Sequence, residues 1–348
     1  MPIHNFSPLR GRIAEIRVES SALAGNLLGD PTCRSVAVYL PPGYDDGDDF
    51  PLFVDLAAFT SSGLKRLSWS AFGESVPQRI DRLIAEGAMG PTIVAFPDCF
   101  TSLGGNQYIN SLALGRWEEF ITVDLLRALE GSFRVRPGRE HRAVYGKSSG
   151  GYGALVHGMR HADVWGAAAS HSGDVGFDLL YRSDFARTLD ALARFDGDVE
   201  AFVTHVRKAT KIRGDQFHAL MSLAMSAIYD PDPEAYWGIN LPVDPHTCEL
   251  DEVAWGRWLA HDPLRMIEAP EHQAGLRSLK GLFIDVGSRD QYLIHYGTRA
   301  LVRRLIAAGI DHAYEEFDDN HSSVDYRLDV SLPYLYRALT GEATPTSA

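Results

Sequence analysis

Short apolar runs alternate along the chain with longer segments in which apolar residues recur at helical spacing. Gly11 to Ser20 mixes apolar and polar positions, and Arg34 to Leu40 (RSVAVYL) is β-branched and near-alternating, so the two read as a hairpin or small antiparallel edge. Pro41-Pro42-Gly43 stops the second strand, and Asp45 to Asp49 makes an acidic, solvated turn. Pro51 to Ala58 (PLFVDLAA) and Pro91 to Pro97 (PTIVAFP) are apolar runs bounded by turn residues, as buried central strands require. Ser75 to Gly87 between them looks helical. Trp117 to Leu129 carries Phe120, Val123, Leu125, Leu126 and Leu129 close to the period of an amphipathic helix. His141 to Tyr145 is short and extended, Gly150 to Gly158 is a small-residue helix, and Val164 to Ser170 is a further strand. After about Pro270 come a strand at Gly281 to Gly287 (GLFIDVG), a helix at Tyr296 to Ala308, a strand at Ala313 to Phe317 (AYEEF) and a helix at Val324 to Leu339.

Strands alternating with helices predict an α/β fold with a mainly parallel sheet flanked by helices, and such sheets place their chemistry at the carboxyl ends of the strands. The segment from Asp174 to Pro270 is too long for a simple connection, so residues 174–270 are read as an inserted helical cap. Residues 1–173 and 271–340 then form the core, and 341–348 a polar tail. The cap is aromatic, with Tyr229, Tyr236, Trp237, Trp255 and Trp258. Aromatic residues commonly line ligand cavities, but Trp255 and Trp258, at i and i+3, are better read as the packed face of a cap helix.

Of the 348 residues, 45% are hydrophobic and 23% charged, which suits a soluble globular protein with a substantial core. The net charge of −13 works against a surface that attracts nucleic acid or anionic lipid, because both need clustered Lys and Arg. A small-molecule substrate fits better, and a homo-oligomer stays open. Met1 to Arg12 has no apolar core of signal-peptide length, and no stretch approaches the roughly 18 apolar residues of a membrane helix. The expected location is cytoplasmic. Cys33, Cys99 and Cys248 are widely spaced without a CxxC pair and read as small buried apolar residues, so neither a metal nor another cofactor is expected.

Tyr145-Gly146-Lys147-Ser148-Ser149-Gly150-Gly151 contains one Gly-x-Ser-x-Gly frame, centred on Ser148. A serine on a tight strand-to-helix turn needs small neighbours, since side chains there would collide with nearby backbone. The strand HRAVY before it and the helix GYGALVHGM after it supply the turn's context. A serine hydroxyl also needs a base, and in this arrangement the partners follow in the order serine, acid, histidine. Asp290 lies just beyond GLFIDVG and His321 just beyond AYEEF, 142 and 173 residues after the serine. Asp285 lies inside the apolar strand, where it points away or satisfies a local donor, and Asp318 and Asp319 are too local to orient His321. His157, His161, His171, His295 and His312 fall on helices or strand edges, where packed or solvated roles are the default. The oxyanion that acyl transfer creates would meet the N–H of Ser149 and one N–H after PLFVDLAA, from Phe59 or, as the near alternative, Ala58.

With these residues in view, the chain resembles the esterase family of α/β hydrolases that includes S-formylglutathione hydrolases, feruloyl and acetylxylan esterases, enterochelin esterases and mycobacterial mycolyltransferases. The resemblance rests on Val38-Tyr39-Leu40-Pro41-Pro42-Gly43-Tyr44, the elbow with Ala154-Leu155 behind it, Gly287 to Asp290, and His321 ahead of Leu332-Pro333. It spans about residues 34 to 175 and 278 to 340. It implies the α/β-hydrolase fold and a triad of Ser148, Asp290 and His321. Two departures stand out: Ala57-Ala58 replaces the usual His-Gly, and the helical insert is longer than in compact members. Pro97 to Asn110 resembles a loop that lies beside the active site in relatives, which makes Gln107, Tyr108 and Asn110 candidate substrate contacts. The expected activity is ester hydrolysis through an acyl-enzyme. An acyltransferase with an alcohol acceptor is the nearest alternative and a non-catalytic binding protein the more distant one.

Overall fold

The structure is a computed structural model that describes residues 8–341, so the expected polar tail beyond Gly341 lies outside the described residues. Its strands are β1 (Arg12–Glu19), β2 (Cys33–Leu40), β3 (Leu52–Leu56), β4 (Ile93–Pro97), a two-residue pair β5 (Asn110–Ser111) and β6 (Gly115–Arg116), β7 (Arg142–Lys147), β8 (Ala167–His171), β9 (Gly281–Gly287) and β10 (Ala313–Phe317). All but β5 and β6 form one eight-stranded sheet in the order β1-β2-β4-β3-β7-β8-β9-β10. The β1–β2 and β2–β4 pairings are antiparallel, and from β4 onward every pairing is parallel. This matches the expected antiparallel edge on a mainly parallel sheet.

Burial follows from position in the sheet. Every residue of β3, β4, β8 and β9 is buried, because helices cover both faces. The last strand, β10, is half exposed, and its Glu315 and Glu316 leave that edge charged and solvated, a protection against pairing with another chain. One face packs on α1 (Val76–Ala85) and on the C-terminal helix, through Phe53, Val94, Tyr145, Ala169 and Phe283. The other meets the helical run α2, which begins at Trp117–Glu119, passes through a π-helical Phe120–Leu125 and ends with Leu126–Ser132, and α3 (Ser149–Arg160). The π turn has a sequence cause. Phe120 and Ile121 lie five residues before Leu125 and Leu126, and a wider turn keeps both pairs buried while Val123, expected inside, is 43% exposed.

Between β8 and β9 the chain is helical: α4 (Phe177–Leu180), α5 (Phe185–Ala193), α6 (Val199–Lys208), α7 (Gly214–Tyr229), α8 (Glu252–Leu259), α9 (Pro263–Met266) and α10 (Pro270–Arg277). Trp255 and Trp258 each pack edge-on against Phe185 with ring centroids 5.6 Å apart, so they fill the helical layer's interior. Phe177, Tyr181, Tyr229 and Trp258 continue that interior without a break into the core on the α3 face of the sheet. The remaining helices are α11 (Ile294–Ala307) and α12 (Leu328–Thr340). Of the three cysteines only Cys99 is buried. Cys33 and Cys248 are partly exposed, and the Cys33 sulfur accepts from Arg17 Nε, which corrects the expectation that all three are core residues.

Candidate active site

Ser148 occupies the single residue between β7 and α3, at φ 57° and ψ −124°, backbone angles that an ordinary residue adopts only where the surroundings enforce them. The enforcement is steric. A Cβ on Gly150 would lie 1.8 Å from the Leu56 carbonyl oxygen, and one on Gly146 would lie 2.5 Å from that oxygen and from the Gly150 carbonyl carbon. The Ser148 N–H donates to the carbonyl of His171 at the end of β8, 2.9 Å away.

β9 and β10 run parallel as neighbours, with Phe317 opposite Gly287, so the loops after them emerge side by side. That brings Asp290 and His321 together: His321 Nδ1 lies 2.7 Å from Asp290 Oδ2. The other Asp290 oxygen accepts the Tyr292 N–H at 2.9 Å, and Gln291 Oε1 accepts the His321 N–H at 3.0 Å. With Nδ1 carrying the proton toward the carboxylate, Nε2 is an acceptor. Among the described residues no hydrogen bond uses that nitrogen or the Ser148 hydroxyl. Both residues line one cavity of about 140 Å³, together with Ala58, Phe59, Ser149, Asp174, Leu180, Phe217, Met221 and Tyr292.

The expected oxyanion donors lie on this cavity's wall. Ser149 opens α3, and no backbone acceptor among the described residues takes the N–H of Ala58 or Phe59. The strand exit that carries those two is pinned from both sides, by Tyr108 Oη donating to the Ala57 carbonyl at 2.6 Å and by Thr60 N–H donating to the Gly104 carbonyl at 2.7 Å.

Gln107, Tyr108 and Asn110 are not on the wall. Gln107 is fully buried, and its Nε2 donates to Asp174 Oδ2 (2.8 Å), Tyr229 Oη (2.9 Å) and Tyr181 Oη (3.1 Å). Tyr108 supports the strand exit, and Asn110 turns away to accept the Glu118 N–H at 3.0 Å. The loop does run beside the cavity as its sequence suggests, but positive φ at Gln107 (54°) and Tyr108 (58°) turns these side chains into the protein interior.

One acidic and one basic cavity residue escaped the sequence reading. Asp174, three residues past β8, is 6% exposed and accepts from both Gln107 and Tyr181, the latter at 2.7 Å. Burial pushes its carboxyl up from the ordinary aspartate range against the pull of those two hydrogen bonds. Its position at the carboxyl end of a strand was the available signal. Lys147, the variable residue of the elbow, is half-buried, and burial draws its ammonium down from the usual lysine value.

A second row of the same residue types lies under the sheet. His171 Nδ1 is 2.7 Å from Asp285 Oδ1, His171 Nε2 is 2.9 Å from Ser331 Oγ on α12, and Arg327 Nε donates to Asp285 Oδ2 at 2.8 Å. Asp285 thus does satisfy donors, one of which is a histidine.

Strand order, helices on both faces and a strained serine at the strand ends define the α/β-hydrolase fold. Comparison with known proteins agrees. The model of the Esterase family ("Putative esterase") matches residues 31–331, and the chain belongs to that family. Among curated relatives, Esterase MT1326 of Mycobacterium tuberculosis (strain CDC 1551 / Oshkosh) is 34% identical over 84 residues, which are 24% of this chain and 18% of that protein, so the match spans less than a fifth of the relative. A solved ferulic acid esterase covers 95% of this chain and 100% of its own at 20% identity, with a TM-score of 0.61. The S-formylglutathione hydrolase of Agrobacterium tumefaciens covers 96% and 97% at 15% identity, with a TM-score of 0.57. At these identities the likeness is one of fold. Among the described residues no helix is long and apolar enough to cross a membrane.

Proposed function

We propose that the chain hydrolyses a carboxylic ester through an acyl-enzyme on Ser148. The observation that carries this reading is the free Nε2 of His321 in the cavity of the strained serine, with Nδ1 held by a buried carboxylate. Ser148 Oγ attacks the acyl carbon as His321 Nε2 takes its proton, and the carbonyl oxygen becomes an oxyanion. The N–H of Ser149 and that of Phe59 or Ala58 stabilise it, each donor worth about 3 to 4 kcal/mol in such sites. Collapse expels the alcohol, which receives the proton from His321. Water, deprotonated by the same nitrogen, then releases the acid and restores the serine. Asp290 fixes the imidazole tautomer and balances its charge while it holds the proton. A cavity of about 140 Å³ walled by Leu180, Phe217, Met221 and Tyr292 suits a small acyl group. Three of those walls come from helical residues 174–270, which act in this reading as the cap.

The test is reaction with a fluorophosphonate followed by peptide mass mapping, together with hydrolysis of p-nitrophenyl acetate by Ser148→Ala. Label on Ser148 and loss of turnover are expected. Turnover retained by pure S148A protein ends the proposal.

A further inference from the structure

The small cavity opens beside a much larger cleft of about 720 Å³, and Ala58 and Lys147 line both. The acyl group, held on the serine between the two half-reactions, belongs in the small cavity with the oxyanion donors. The leaving group must depart while the acyl group stays, so it belongs in the open cleft. His321, which delivers its proton, is followed within five residues by the cleft residues Ser323, Asp325 and Tyr326.

Charge on the cleft wall is uneven. Arg66 and Arg79 are neutralised: Arg66 donates to Asp55 (2.9 Å) and Asp325 (3.1 Å), and Arg79 to Asp329 (2.6 Å) with Glu74 at 3.6 Å. Glu74 is in turn held by Arg82 at 2.8 Å. Lys147 and Lys65 have no acidic partner within ion-pair distance among the described residues. Lys147 feels the carboxylates of Asp325 and Asp290 and the guanidinium of Arg66 only as a background field. An ammonium drawn half out of water at the junction of both cavities, without a counterion, is an incomplete ion pair. The same wall exposes Trp69 (68%) and Phe72 (96%), aromatic faces on a protein whose net charge is −13.

Resting on the serine-esterase reading above, we propose that the substrate's leaving group is an alcohol or phenol bearing an anion, a carboxylate or a phosphate, which Lys147 binds while Trp69 and Phe72 cover its apolar part. Lys147 is then a specificity residue: it pairs with the leaving group and takes no part in bond making.

The experiment compares three para-substituted phenyl acetates: 4-acetoxybenzoate, its neutral methyl ester, and 4-acetoxyphenyl phosphate. The expected preference in kcat/KM of one or both anions over the methyl ester is about 10-fold, the worth of one charge-assisted hydrogen bond. Lys147→Met should abolish it and Lys147→Arg retain it. The ratio of the two anions tells carboxylate from phosphate. A preference absent from the native enzyme, or unmoved in K147M, overturns the proposal. If K147M does not fold, salt decides: the native preference must shrink between low salt and 0.5 M, and a constant preference overturns the proposal equally. Fluorophosphonate labelling of each protein separates the two readings. Normal labelling with no anion preference sinks this inference alone, whereas no label on Ser148 and turnover by S148A sink the serine reading and this one with it.

Discussion

Two rows of serine, histidine and aspartate occur in this molecule, and their His–Asp contacts are equally short, 2.7 Å in each. In the row at the strand ends, Ser148 is held at positive φ and the outer imidazole nitrogen faces a cavity. In the row beneath the sheet, Ser331 lies within α12 at 0% exposure, its hydroxyl occupies His171 Nε2, and Arg327 occupies the second oxygen of Asp285. The same three residue types therefore leave an imidazole nitrogen open to a cavity in one place and form a fully bonded buried staple in the other. Residue type does not decide the matter; unsatisfied hydrogen-bonding capacity next to open space does.

Paired substitutions break or sharpen this contrast. Ser148→Ala should cost on the order of 10⁴ to 10⁶ in kcat, whereas Ser331→Ala should keep ester turnover within a few-fold; similar losses in both would erase the distinction. Asp290→Asn should lower kcat by about 10⁴ without unfolding the protein, because the imidazole then adopts the wrong tautomer. Asp285→Asn leaves Arg327 and His171 partly unpaired inside the protein, so it should remove about 3 to 5 kcal/mol of stability in denaturant titrations while turnover per folded molecule persists. Tyr108→Phe frees the Ala57 carbonyl behind the oxyanion donors, and a drop of roughly 10-fold in kcat with little change in KM would mark a positioning role; a change confined to KM would contradict it.

The smallest effect is in acid and concerns neither row. Burial opposes the charge on Glu118, but His161 and Arg160 bind it and hold its carboxyl at about 2. A carboxyl lowered on folding contributes stability above its unfolded pKa of roughly 4.3. That contribution fades as pH falls from there through about 2. Glu118→Gln should flatten this part of the stability profile and leave turnover near neutrality untouched.

The outer row was legible in the sequence because each member carries a local mark. Glycines 146 and 150 betray the elbow, and Asp290 and His321 each fall within four residues of the end of a strand. The inner row carries none. His171 and Asp285 are cross-strand neighbours in the β8–β9 register, and that adjacency exists only once strand order is known. Gln107 and Tyr108, expected as substrate contacts, face the interior instead, because side-chain direction there depends on two positive φ angles that neither residue type announces. Lys147 was visible only as the unspecified second position of the Gly-x-Ser-x-Gly frame. Its free ammonium emerges when every neighbouring guanidinium is seen to have a partner.

The hydrogen bond from Ser148 N–H to the His171 carbonyl joins the two rows. The main chain of Ser148 is thereby tied to a strand residue whose own side chain is held by Asp285 and by Ser331 of α12. The imidazole of His321 rests on a different support, the loop after β10, where Asp290 and Gln291 hold it. Hydroxyl and imidazole thus stand on separate anchors, one running into the interior of the sheet and the other into the loops after its last two strands.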